Sequence, residues 1–333
     1  MSNNKINFRE CILEIKPYVP GKPIEDVQRE FGLKDVIKLA SNENPLGPSP
    51  KAKQAMIEAA PKMFLYPDGY CTELRKQMSG EIDVEGNQLI FGNGSDEIIK
   101  LIAETYILPG DEVIAADPSF SEYDFACLLM GGTMVKVPVK DYKHDLEKMA
   151  EAITDKTKVI FICNPNNPTG TIVHKAEVES FLKKVPAGVI VVFDEAYREY
   201  VDDVNYPDPL EYIKQGADNI IILRTFSKIH ALAGLRIGYG IADNKMISLI
   251  ERTREPFNVN LMAQKAALAS LNDKEHVIKS MEFNNSGKEY LYNAFQELGL
   301  FYVPTQANFI LVDVKKHSKD VFMELLKRGV IVR

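Results

Sequence analysis

Ile220-Ile221-Ile222-Leu223-Arg224-Thr225-Phe226-Ser227-Lys228 decides how this chain is read. Four consecutive apolar residues with no polar face are the mark of a strand buried on both sides. The polar residues that follow then sit where that strand leaves the sheet. Val189-Ile190-Val191-Val192-Phe193 repeats the pattern and ends in Asp194-Glu195-Ala196-Tyr197. Further short apolar runs occupy 88–91, 112–116, 134–139, 159–163 and 236–241. Segments 97–106, 145–153 and 176–185 carry helical spacing between them. Strands alternating with helices predict an α/β domain whose sheet is mostly parallel and covered by helices on both faces. Ligands of such sheets bind outside the carboxyl ends of the strands.

Beyond residue 245 the pattern changes. Helices are expected at 245–254, 261–271 and 277–298, then a strand at 308–314 and a helix at 319–328. This predicts a second, smaller α+β domain. Pro17, Pro20, Gly21 and Pro23 make the N-terminus read as an extended arm packed on that domain or on a partner subunit. The expected divisions are 1–40 for the arm, 41–250 for the large domain and 251–333 for the small one.

The 333 residues, 45% hydrophobic and 26% charged, suit a globular protein with one large and one smaller domain. A net charge of −7 argues against a general nucleic-acid partner. Cys11, Cys71, Cys127 and Cys163 are scattered and form no CxxC pair, which fits a reduced, cytoplasmic setting. The five histidines lack ligand spacing, so no metal site is expected. The polar first ten residues lack a signal peptide's apolar centre, and no run approaches the ~20 apolar residues of a membrane span.

Several strand ends carry residues suited to chemistry, and each also has a plain structural reading. In Gly92-Asn93-Gly94-Ser95-Asp96-Glu97 the glycines allow a tight turn whose helix-start N–H groups can hold a phosphate; Ser95 or Asp96 could equally be an N-cap. Asn164-Pro165-Asn166-Asn167-Pro168-Thr169-Gly170 is a stiff loop able to aim Asn167 at a ligand oxygen, or simply a turn. Asp194, after five apolar residues, should be buried and in need of a cation, which a ligand or an ordinary arginine can supply. Tyr197 fits a ligand hydrogen bond or the core, and Phe120 a stacking face or the core. Lys228 is the side chain able to hold an aldehyde cofactor, although most lysines are merely solvated. Thr225 and Ser227 fit caps, and Arg236 the start of a strand. The structural readings explain each residue singly but not their recurrence at successive strand ends. Together they suggest a pyridoxal phosphate site.

Asn167-Pro168-Thr169-Gly170, Asp194-Glu195-Ala196-Tyr197 and Thr225-Phe226-Ser227-Lys228 through Arg236 resemble the signature series of fold-type I, pyridoxal phosphate-dependent aminotransferases. The resemblance covers nearly the whole chain. It is nearest to the histidinol-phosphate aminotransferase branch, through Lys16-Pro17-Tyr18-Val19-Pro20-Gly21-Lys22, Leu39-Ala40-Ser41-Asn42-Glu43-Asn44-Pro45, Tyr66-Pro67-Asp68-Gly69 and Ala231-Leu232-Ala233-Gly234-Leu235-Arg236. It implies an aspartate aminotransferase-like, three-layer α/β/α large domain with a seven-stranded sheet. It also implies these roles: Lys228 carries the cofactor as a Schiff base, Asp194 pairs with the pyridine N–H, Tyr197 and Asn167 hydrogen-bond the ring oxygen, and Phe120 stacks on the ring. Ser95, Asp96, Thr225, Ser227 and Arg236 hold the phosphate, and Tyr66 reaches it from the other subunit of a homodimer.

For substrate the resemblance implies contacts from Tyr18, Asn44 and Arg333, the last to a substrate phosphate. The expected partners are small molecules: a phosphorylated amino alcohol or amino acid, with glutamate and 2-oxoglutarate. An aromatic amino acid aminotransferase and a threonine-phosphate decarboxylase-like lyase are the alternatives, and a non-catalytic regulator is a weaker one. The resemblance further implies a strand with a second arginine and a closing helix beyond Arg333. The chain as it stands is therefore expected to be a shortened form that binds cofactor but turns over poorly.

Overall fold

The computed structural model describes residues 7–17 and 21–333. In chain order the elements are α1 (Ile24–Phe31), β1 (Ile37–Lys38), α2 (Pro50–Ala59), α3 (Thr72–Ile82), β2 (Leu89–Gly92), α4 (Ser95–Tyr106), β3 (Glu112–Asp117), α5 (Glu122–Leu129) and β4 (Thr133–Pro138). They continue with α6 (Leu146–Glu151), β5 (Thr157–Cys163), α7 (Lys175–Leu182), β6 (Ile190–Asp194), α8 (Pro209–Lys214), β7 (Ile220–Thr225) and β8 (Gly238–Ala242). Last come α9 (Asn244–Ile250), α10 (Leu261–Leu271), α11 (Lys274–Glu297), β9 (Phe301–Val303), β10 (Leu311–Asp313), α12 (Ser318–Lys327) and β11 (Val330–Ile331).

Seven strands form one sheet in the order β2-β8-β7-β6-β5-β3-β4. β8 runs antiparallel to both its neighbours, and the other contacts are parallel. The central runs are apolar throughout because both faces are covered. Ile160, Ile162, Val191, Phe193, Ile220 and Ile222 pack with α2, α3, α7, α8 and α10 on one face. Val159, Phe161, Ile190, Val192, Ile221 and Leu223 pack with α4, α5 and α9 on the other. This is the predicted three-layer architecture. The single reversed strand also brings the start of β8 to the same rim as the ends of β2, β3, β5, β6 and β7.

Two expectations are revised. The arm is not simply extended. Ile24, Val27 and Phe31 make an apolar stripe at helical spacing after Pro23, and Gly32, at φ 66°, caps the resulting α1. The arm then pairs β1 with β11 in parallel, and Ile331 of β11 joins Val27, Ala40 and Leu326 in one small core. The arm thus packs on the C-terminal elements. Second, the change of pattern past residue 245 places α10 in the smaller domain, yet Ala263, Ala266 and Ala267 lie in the same apolar cluster as the sheet. Its many small residues let it sit close on α2 and α3. α11, the β9–β10 hairpin, α12 and β11 remain as the C-terminal part. Among the described residues no helix is long and apolar enough to cross a membrane.

Candidate active site

The rim of the sheet gathers the predicted residues. Asp194 ends β6 and is buried. Its Oδ2 accepts from the Tyr123 hydroxyl at 2.8 Å and its Oδ1 from the Ala196 N–H at 3.2 Å. Both donors are neutral. Burial raises the carboxyl pKa from 3.8 to about 6, against the lowering pull of those hydrogen bonds. A carboxylate in that condition is short of a cation.

β7 carries the next set. Thr225 Oγ1 accepts the Ser227 N–H at 3.0 Å and donates to the Ile237 carbonyl at 3.4 Å, so the chain turns sharply and both hydroxyl residues are buried. Lys228 follows. Its Nζ donates to the Ser41 carbonyl at 3.1 Å and lies 5.5 Å from the centre of the Tyr197 ring. Burial of the lysine stem lowers its pKa, while Asp96 and Glu43 pull the other way and Arg236 adds to the lowering. Tyr197 is buried, and its hydroxyl accepts from Asn42 Nδ2 at 2.9 Å and from Asn167 Nδ2 at 3.4 Å. Burial drives that hydroxyl well above the ordinary tyrosine range, so it stays protonated.

A polar cup lies at the start of α4. Gly94 is the N-cap and offers no side-chain acceptor to the helix's first N–H groups, which have no intrahelical partners. Gly94 has φ +83°, and a Cβ there would come within 2.5 Å of Arg236 Nη2. A Cβ on Gly238 would come within 2.5 Å of the Ser95 nitrogen. The glycines thus let Arg236, Ser95 and the strand β8 close around one point. Arg236 donates to Asp96 Oδ2 at 2.8 Å and to the Ala233 carbonyl at 3.2 Å. It does not begin a strand as the sequence suggested: at φ 55° it leaves a short 3-10 turn in the left-handed region, and β8 starts two residues later.

The Asn164–Gly170 loop is pinned by Asn166, not by Asn167. Asn166 Nδ2 donates to the Pro118 carbonyl and to Thr169 Oγ1, and its Oδ1 receives Ser119 Oγ at 2.9 Å and His144 Nε2 at 3.0 Å. Since both amide hydrogens are used, Oδ1 is the acceptor and His144 carries its proton on Nε2. Burial lowers the His144 pKa to about 4. This network fixes the Asn167 loop to the loop bearing Phe120, whose ring meets Tyr123 edge-on at 5.6 Å.

The expected substrate residues are less uniform. Tyr18 lies outside the described residues. Asn44 does not point to open space: its Nδ2 donates to the Ile229 carbonyl and to Ser280 Oγ, each at 2.9 Å, and its Oδ1 accepts the Leu46 N–H at 3.1 Å. In this conformation it ties the segment just after the arm to α11 and the Lys228 loop. Arg333 is exposed and follows β11, whose Ile331 carbonyl accepts the Leu39 N–H at 2.7 Å, two residues before Ser41. Tyr66 is 83% exposed and stacks on Phe257 at 4.8 Å, beside exposed Met63, Phe64 and Leu65. Sequence reasoning passed over Tyr123, Ser41 and Asn42. The last two stand next to Asn44 in the quoted Ser41-Asn42-Glu43-Asn44 run, but only the fold shows which asparagine faces Tyr197.

The chain is 60% identical over 325 residues to the histidinol-phosphate aminotransferase of Moorella thermoacetica, covering 98% of this chain and 84% of that one. It is 51% identical to the enzyme of the same name from Caldicellulosiruptor saccharolyticus, covering 98% and 91%. Its fold matches the crystal structure of histidinol-phosphate aminotransferase from Sinorhizobium meliloti in complex with pyridoxal-5'-phosphate at a TM-score of 0.91 and 24% identity, covering 99% of this chain and 90% of that one. Residues 34–333, which hold every described site residue above, match the model of the family described as aminotransferase class I and II, and this chain is a member of that family.

Proposed function

We propose that the chain is a pyridoxal phosphate-dependent histidinol-phosphate aminotransferase, moving an amino group between histidinol phosphate and 2-oxoglutarate as a homodimer. The 60% identity over 98% of the chain to a relative of that name carries the reading. The site fits the cofactor on two observations: a buried carboxylate with only neutral donors, and an uncapped helix start beside an arginine. Asp194 supplies the counter-ion that a pyridine N–H requires. Ser95, Asp96, Thr225, Ser227 and Arg236 supply backbone N–H groups, hydroxyls and a fork of donors suited to a phosphate. Tyr197 and Asn167 serve the ring oxygen, and Phe120 the ring face.

When bound, pyridoxal phosphate supplies the electron sink for charge left at the substrate's α-carbon. The remaining work falls to the protein. Lys228, its proton affinity lowered by burial, serves as a free amine that takes the proton from the α-carbon and later returns one. The Tyr197 hydroxyl, held protonated, donates a hydrogen bond toward the ring oxygen. Arg333 is assigned to the substrate phosphate, Tyr18 to the substrate pocket and Tyr66 to the partner's site; the exposed apolar surface around Tyr66 supports that dimer. The cytoplasm is the expected compartment. Glutamate formation from histidinol phosphate or the reverse, compared with phenylalanine and threonine phosphate, tests the proposal. Carbon dioxide release from threonine phosphate without keto-acid turnover would overturn it.

A further inference from the structure

Tyr123 was not among the residues expected at the site, yet it is fully buried and its hydroxyl donates to Asp194 Oδ2 at 2.8 Å. It stands in the first turn of α5, three residues after Phe120. Its ring lies flat on Phe161 of β5, with centroids 4.3 Å apart and planes 8° apart, and Phe120 meets it edge-on. Clamped in this way, the hydroxyl oxygen is held beside the Asp194 carboxylate and the Cys163 thiol, and a buried phenol needs an acceptor, of which the carboxylate is the stronger. The Ala196 N–H holds the other carboxylate oxygen, so one donor on each oxygen fixes the carboxylate's plane.

We propose that Tyr123 is a positioning residue for Asp194, orienting the carboxylate through its hydroxyl while its ring sets the Phe120 side chain. One side chain then fixes both the edge contact and the face contact for a flat cationic heteroaromatic ring. The proposal rests on the pyridoxal phosphate reading. The groups around Asp194 leave Tyr123 as its main side-chain support. Burial above all, with smaller contributions from Asp96 and Glu195, raises its proton affinity, and Tyr123 and the Ala196 N–H lower it. The Cys163 thiol beside it is pushed up to about 12 by burial and stays neutral, as does Tyr197. Lys228 lies within electrostatic reach and Glu195 is engaged with Arg224.

Tyr123→Phe tests this, since it keeps the ring and removes the donor. The full chain without cofactor is titrated by carboxyl NMR, with Asp194→Asn identifying the signal, and pyridoxal phosphate affinity is measured by absorbance. Tyr123→Phe should move the Asp194 midpoint up by about one pH unit and weaken cofactor binding by about tenfold. Phe161→Leu, which loosens the packing but keeps the hydroxyl, should lower Tm and move the midpoint less than Tyr123→Phe does. An unchanged midpoint and affinity in Tyr123→Phe would overturn the proposal. If the midpoint moves but the wild-type chain takes up no pyridoxal phosphate, the Tyr123–Asp194 coupling stands and the cofactor reading fails.

Discussion

Replacing Arg224 or Glu195 with methionine probes what holds the Asp194 and Lys228 strand ends together. Arg224 precedes Thr225 on β7, and Glu195 follows Asp194 after β6. Both are buried, and Arg224 Nε and Nη2 each lie 2.8 Å from Glu195 Oε2. The other carboxylate oxygen lies 3.1 Å from the Tyr206 hydroxyl, which it shares with the Asn164 carbonyl, and Arg198 Nε lies 3.7 Å from Oε2. Removing one member of such a pair strands a buried charge, at about 3–5 kcal/mol. The two single variants should differ. Arg224→Met leaves Glu195 with Tyr206 and Arg198 and should fall near the low end. Glu195→Met leaves a guanidinium that cannot shed its proton and should fall near the high end. At roughly 2 °C per kcal/mol for a long chain, Tm drops by about 6–10 °C. The double variant Arg224→Met/Glu195→Met strands no charge, so its loss should be smaller than the sum of the two by about 2 kcal/mol or more. Urea unfolding of the four proteins without cofactor measures this. Additive losses, or single losses under about 1 kcal/mol, would refute the reasoning.

Three further outcomes are expected. Asp194 is an acid whose pKa is raised by burial from 3.8 to about 6, so its contribution to stability is intact below pH 3.8 and lost as pH rises through about 6. Without cofactor, Asp194→Asn should therefore be more stable than wild type at pH 7, by up to about 3 kcal/mol, with the difference vanishing near pH 4; equal unfolding midpoints at pH 7 would contradict this. His144 has the opposite sense: burial lowers its pKa from 6.5 to about 4, so the unfolded chain takes up a proton first and stability falls as pH drops through that window. His144→Gln should flatten the decline by up to about 3 kcal/mol in urea titrations across the same range. Gly94→Ala places a Cβ at φ +83° and 2.5 Å from Arg236 Nη2. The Cβ displaces the guanidinium from the cup, so pyridoxal phosphate binding should weaken by about tenfold or more in absorbance titrations, while the backbone strain itself lowers Tm.

The runs at 189–193 and 220–223 revealed the sheet because both faces of those strands are buried and apolarity is continuous. Lys228, Asp194, Tyr197, Asn167 and Arg236 stand out as candidates in the sequence because each closes such a run or its loop. The N-terminal helix was obscured by Pro17 to Pro23, although Ile24, Val27 and Phe31 already carried its spacing. α10 was misplaced because helical periodicity says nothing of which sheet face a helix covers. Asn44 and Asn42 are chemically alike two residues apart, and positive φ at Ser41 and Asn42 turns the second of these toward Tyr197. Tyr123 was hidden for a different reason: its hydrogen bond spans 71 positions of sequence, and an aromatic in a first helical turn reads as core.

The direct test of the site is to load the purified protein with pyridoxal phosphate, treat it with borohydride, digest it and locate the pyridoxyl label by mass spectrometry. The label should fall on Lys228. Labelling on another lysine, or no labelling while cofactor remains bound, would contradict the assignment of Lys228.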